Sequence, residues 1–156
     1  MGSEMTRLND IIRTRLDERL ASAKPVERLQ PPPRGWIRAL RDGLGMSGSQ
    51  LGKRLGVTPQ NIENLEKSEV AGTIQLQTLK KVAEAMDAKL IYALVPNTSL
   101  EDAVTNRARQ IALRALKRVS HTMTLEAQGT SDRDLQSRID EYIADELNDR
   151  DLWSDA

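Results

Sequence analysis

The sequence predicts a mainly α-helical protein carrying one short β-strand. Apolar residues recur at spacings of three and four through most of the chain, which is the helical period. Capping hydroxyls and glycines stand where those runs begin and end. One segment, Leu90-Ile91-Tyr92-Ala93-Leu94-Val95, is instead apolar on both faces and stops at Pro96, as a strand does.

The elements follow in order. From about residue 4 to 23, Leu8, Ile11, Ile12, Leu16 and Leu20 form a stripe among Arg7, Arg13, Arg15 and Arg19, an amphipathic helix in need of a partner surface. Lys24-Pro25 weakens it, and Pro31-Pro32-Pro33 makes a stiff connector, since successive prolines fix φ and remove donors. A second helix is expected from Trp36, with Trp36, Ile37, Leu40 and Leu44 as its stripe, closed by Gly43 and Gly45. Ser47 can cap a third, carrying Leu51 and Leu55, with Gly56 as the turn after it. Thr58 can cap a fourth, with Pro59 at the favoured first position and Ile62 and Leu65 inward. A fifth, from about Leu76 to Met86, buries Leu76, Leu79, Val82, Ala83 and Met86. A lone strand at 89–95 has no sheet to join, so it is expected to pair with the same strand of a second copy, and a homodimer is predicted through Leu90, Ile91, Tyr92 and Leu94. Ser99-Leu100-Glu101-Asp102 reads as a capping box opening a long helix to about Gln128, basic along Arg107, Arg109, Arg114, Lys117 and Arg118. A last helix, from about Asp132 to Leu147, presents Leu135, Ile139, Ile143 and Leu147. Three regions result: 1–35 as helix and connector, 36–96 as the central domain with its dimerising strand, and 97–156 as a helical region with an acidic tail.

Composition limits the chemistry. The 156 residues include no Cys and a single histidine, His121, which excludes thiol catalysis, disulfides and zinc fingers. A hydrolytic triad would depend wholly on His121, and nothing in sequence supplies its partners. No enzyme activity, metal or cofactor is expected. No apolar run approaches a membrane span and no secretory signal opens the chain, so a soluble cytoplasmic protein without a membrane partner is expected. The net charge of zero conceals an asymmetry: residues 1–130 hold 20 Lys/Arg against 14 Asp/Glu, and residues 131–156 hold 3 against 9. A basic body with an acidic tail suits a nucleic-acid partner. At 3% aromatic content, a base-stacking platform for single strands is not expected.

Two glycine patterns need separating. Gly43-x-Gly45-x-x-Gly48 spells a dinucleotide motif, but it follows a helical period where the motif requires a buried strand. Gly52-Lys53 continues with Arg54 where a phosphate loop requires Ser or Thr. A different pattern is specific: Gly52, then Gly56, Ile62 and Leu65. The small residue admits a second helix at close range, the glycine turns the chain, and two large apolar residues plug the space beneath.

That pattern resembles the helix-turn-helix of the Xre and lambdoid Cro/repressor family over about residues 36–95. The resemblance implies a lambda-repressor-like domain whose helix from Thr58 to Glu66 enters the major groove of double-stranded DNA, here its own operator. It implies a DNA-contacting set of Ser47, Ser49, Lys53, Arg54, Thr58, Gln60, Asn61, Glu63, Asn64 and Lys67. Within it the amides Gln60, Asn61 and Asn64 read bases and Lys53, Arg54 and Lys67 hold phosphates. Pro59 departs from the glutamine of several phage relatives. More narrowly, the Arg-rich first helix, Pro-Pro-Arg-Gly-Trp-Ile-Arg at 32–38 and Leu-Ile-Tyr-Ala-Leu-Val-Pro at 90–96 look like the mobile mystery protein A family. Its members stand beside a Fic-domain protein. This implies an antitoxin for a Fic-domain toxin that transfers AMP, with Thr122 and Glu126 as the toxin-inhibitory pair of a Ser/Thr-x-x-x-Glu motif, in which Ala127 replaces the usual last residue. The alternative is a plain dimeric repressor with no toxin partner.

Overall fold

The computed structural model describes residues 2–122 and 132–154, and among them it contains α-helices and short 3-10 turns but no strand. The helices are α1 (Gly2–Ala21), α2 (Trp36–Leu44), α3 (Gly48–Leu55), α4 (Pro59–Ala71), α5 (Leu76–Ala85), α6 (Leu100–Thr122) and α7 (Asp132–Glu146). None of them is long and apolar enough to cross a membrane. The chain divides into two compact units, Lys24–Leu94 and a discontinuous one of Met1–Ala23 with Val95–Ala156.

In the unit Lys24–Leu94, α2 to α5 each send a side chain to one core: Ile37, Leu51, Ile62 and Val82, joined by Met86 just after α5. Burying a side chain of this size contributes about 1.5–3 kcal/mol. Met46, Leu55, Val57, Leu65, Ile74 and Leu79 pack around them, half-buried. Two inward faces differ from the expected stripes. On α2 the buried residues are Ile37 and Arg41, while Trp36, Leu40 and Leu44 stand exposed. On α5 Leu76 is exposed and Val82 carries the packing. In both cases the apolar residues span a wider arc than the contact, and the partner helices select only part of it.

The expected strand is not seen. Residues 88–99 have no regular structure, and Ile91, Tyr92 and Leu94 are 76%, 75% and 90% exposed. A strand exists through its ladder, and among the described residues no second strand is offered to these amides and carbonyls.

The discontinuous unit places α1 and α7 against α6. Its buried residues are Ala108 and Ala112 of α6, Ile139 of α7 and Leu152 beyond it. Alanines one turn apart let neighbouring helix backbones come close, which larger residues at these positions would prevent. Much of the attachment of α1 is polar: Asp17 accepts from the N–H groups of Leu100 and Glu101 at 2.7 and 3.2 Å, capping α6 across 83 positions of sequence. Arg13 pairs with Glu101 at 3.5 Å, and Asn9 donates to Asp149 at 3.3 Å. At the other end, Arg107 donates to the Leu152 carbonyl at 2.7 Å and lies over the Trp153 ring.

Candidate nucleic-acid interface

The helix-turn-helix is built by α3, α4 and the turn between them. Ser47 and Gln50 cap α3 reciprocally: the Ser47 hydroxyl accepts from the Gln50 N–H at 3.1 Å, and the Gln50 side chain accepts from the Ser47 N–H at 2.8 Å. Gly56 ends α3 in the left-handed conformation, and Thr58 caps α4 by accepting from the Asn61 N–H at 3.2 Å. Gly52 is the point of closest approach: a β-carbon there would stand 2.6 Å from the Val57 carbonyl oxygen, so only glycine lets the turn lie on α3.

A buried ion pair fixes the roll of α4. Arg41 of α2 donates through Nε to Glu66 at 2.8 Å and through Nη1 to the Met46 carbonyl at 3.1 Å, and both residues are under a tenth exposed. Glu69 reaches back from the next turn of α4 and accepts from the N–H groups of Trp36 and Ile37 at 2.7 and 3.0 Å. Gly35 admits this carboxylate, since a β-carbon would meet it at 2.8 Å. Two carboxylates of α4 are therefore spent inward, and negative charge at the start of α2 suits that helix's dipole. Sequence reading missed both. The signal was present in Arg41 and Glu66 each standing four residues beyond a core isoleucine, Ile37 and Ile62, hence on a buried face.

With Ile62 and Glu66 held inward, α4 exposes Gln60, Asn61, Glu63, Asn64 and Lys67 together. Gln60 Nε2 donates to Asn64 Oδ1 at 3.3 Å, so the two amides present one joined edge and still keep an acceptor and further donors. Such an edge suits the donor and acceptor pattern of bases in the major groove. Glu63 and Lys67 pair at 3.0 Å and neutralise each other. The outward face of α4 is therefore close to neutral, which leaves phosphate attraction to its surroundings. Ser47, Ser49 and Lys53 lie exposed on and before α3. Arg54 is exposed there too, and its Nη1 donates to the Ala85 carbonyl at 3.0 Å, at the end of α5.

Beside α4 an open groove of about 590 Å³ is lined by Arg34, Arg38, Pro59, Glu63, Lys67 and Val70 among others. Its guanidinium at Arg38 is paired with Asp42 at 3.0 Å, whose hydrogen bond and charge raise the Arg38 pKa further above neutrality. The glycines of the dinucleotide-like pattern serve helices: Gly43 lies inside α2, Gly45 caps it, and Gly48 opens α3. Of the toxin-directed pair, Thr122 is the final residue of α6, and Glu126 lies outside the described residues.

Residues 37–92 match the helix-turn-helix family. No curated protein and no solved structure matches the chain. A turn closed by Gly52, two capped helices, an inward-locked α4 and this match converge: residues 37–92 are a helix-turn-helix domain of the Xre-like kind, the DNA-binding part of a transcription regulator.

Proposed function

We propose that the protein represses its own operon as a homodimer, reading an operator with Gln60, Asn61 and Asn64, and that it is the antitoxin of a Fic-domain AMP-transferase. The observation that carries the DNA reading is the joined amide edge of Gln60 and Asn64, exposed on a helix whose opposite face is locked by the buried Arg41–Glu66 pair. Lys53, exposed on α3 and outside the neutralised Glu63–Lys67 pair, supplies phosphate contacts. The second copy is engaged through Leu90, Ile91, Tyr92 and Leu94, three of them exposed apolar side chains. The antitoxin role is supported by the resemblance of the flanking segments and by the Thr-x-x-x-Glu spacing of Thr122 and Glu126. The resemblance implies that a carboxylate in this motif competes with nucleotide phosphates for a toxin arginine.

A plain repressor without a toxin is the second reading, favoured by the fate of the basic face of α6. Arg107 is engaged by Leu152 and Trp153, and Arg109 donates to Gln136 at 2.7 Å, so part of that face is satisfied within the chain.

Two experiments test these roles. A mobility shift on DNA upstream of the gene should be lost with Gln60→Ala combined with Asn64→Ala, and undiminished binding would remove α4 as the reader. Co-expression with a Fic protein encoded beside the gene should arrest growth when Glu126→Gly replaces the native residue. Healthy growth without AMP transfer would leave the plain repressor.

A further inference from the structure

α1 docks through a face that adjoins its apolar stripe and leaves most of that stripe outside. Asn9, Arg13 and Asp17, one turn apart in succession, make its polar anchors to Asp149, Glu101 and the start of α6. Of its apolar residues, Leu20 is half-buried, but Leu8, Ile11, Ile12 and Leu16 are 56%, 49%, 46% and 39% exposed. Rotating α1 to bury them against α6 would forfeit the cap at Asp17 and the ion pair at Arg13. A contiguous exposed stripe of four large aliphatic side chains marks a surface that is covered by something.

We propose that the cover is α1 of a second copy, lying antiparallel across Ile12. The helix bears four acidic residues, Glu4, Asp10, Asp17 and Glu18, and four basic ones, Arg7, Arg13, Arg15 and Arg19, so it has no net charge to favour a partner of either sign. Its charges are instead arranged to suit itself. Helical periodicity puts Glu4 at one end of the stripe and Arg19 at the other, both exposed. Antiparallel pairing sets Leu8 beside the second copy's Leu16, Ile12 beside its own counterpart, and Arg19 beside the second copy's Glu4. Parallel pairing would set like charge against like at both ends. The contact is short, so it gains from any other contact between the two copies, which raises the effective concentration of one α1 around the other. The inference shares with the proposed function the existence of a second copy and differs in assigning this surface to it.

The absence of cysteine makes the full chain suited to disulfide trapping. Ile12→Cys should link to itself under mild oxidation. Leu8→Cys mixed with Leu16→Cys should link roughly tenfold faster than either alone, because disulfide geometry tolerates only a narrow range of separations. Arg19→Glu should slow the link at position 12, and adding Glu4→Arg should restore it. Unchanged helix content by circular dichroism confirms that each variant is folded. Self-linking of Leu8→Cys as fast as the mixture would overturn the antiparallel arrangement. A chain that sediments as a dimer without linking at position 12 would overturn the surface alone, and a monomer would remove the dimeric reading with it.

Discussion

Replacing Glu66 by leucine should destabilise the DNA-binding unit more than any exposed substitution. The change leaves the Arg41 guanidinium, 9% exposed, with only the Met46 carbonyl as partner. Removing one member of a buried pair costs about 3–5 kcal/mol, because the remaining charge stays desolvated. Domains have about 0.05–0.15 kcal/mol of stability per residue, so a unit spanning Lys24–Leu94 has roughly 4–10 kcal/mol in total. The single variant should therefore lose a third or more of it. Arg41→Met added to Glu66→Leu removes both charges together and should recover most of the loss. Urea unfolding followed by fluorescence of Trp36, with Trp153 replaced by Phe, reads this unit. If Glu66→Leu costs less than about 1 kcal/mol, or if the double variant is as unstable as the single one, the ion pair is not what holds α4.

Other substitutions separate reading from folding. Gln60→Ala should cost roughly 1–3 kcal/mol of operator affinity and relax discrimination at particular base pairs, whereas Lys53→Ala should weaken all DNA alike and flatten the salt dependence in filter or fluorescence titrations. Gly52→Ala should lower the urea midpoint, since the strain of a β-carbon at 2.6 Å from a backbone oxygen, about 1–3 kcal/mol, exceeds the helix propensity gained. A midpoint that rises would show that the turn yields freely. Asp17→Ala should cost about 0.5–2 kcal/mol in the unit that contains Trp153, read from that residue's fluorescence, and leave DNA binding unaltered.

The central domain was legible because its determinants are local. Caps at Ser47 and Thr58, the small residue at Gly52 and the plug at Ile62 all act within a few positions of sequence, and each stands where it was expected. What escaped was set by contacts between distant elements. Glu69 caps α2 over 33 residues, Asp17 caps α6 over 83, and neither has any signature near the helix it serves. The strand at 89–95 failed for a related reason: an apolar run has strand propensity, but the ladder needs a partner, and the described residues offer none. On α1, a correct amphipathic pattern did not disclose which face docks, because the polar anchors Asn9, Arg13 and Asp17 selected a face about 100° round the helix from Leu8, Ile12 and Leu16.

The discontinuity of one unit bears on the order in which the protein is made. All helices of the DNA-binding unit, residues 24–94, leave the ribosome before α6 and α7 emerge. During that interval the reader can fold as a complete domain. α1, although synthesised first, has neither the α6 start for Asp17 to cap nor Glu101 for Arg13. Its aliphatic stripe is then held by nothing within the nascent chain. A product cut short before residue 100 would keep its DNA reader and lose the support of its first helix, giving a binder of DNA with an unanchored amphipathic arm.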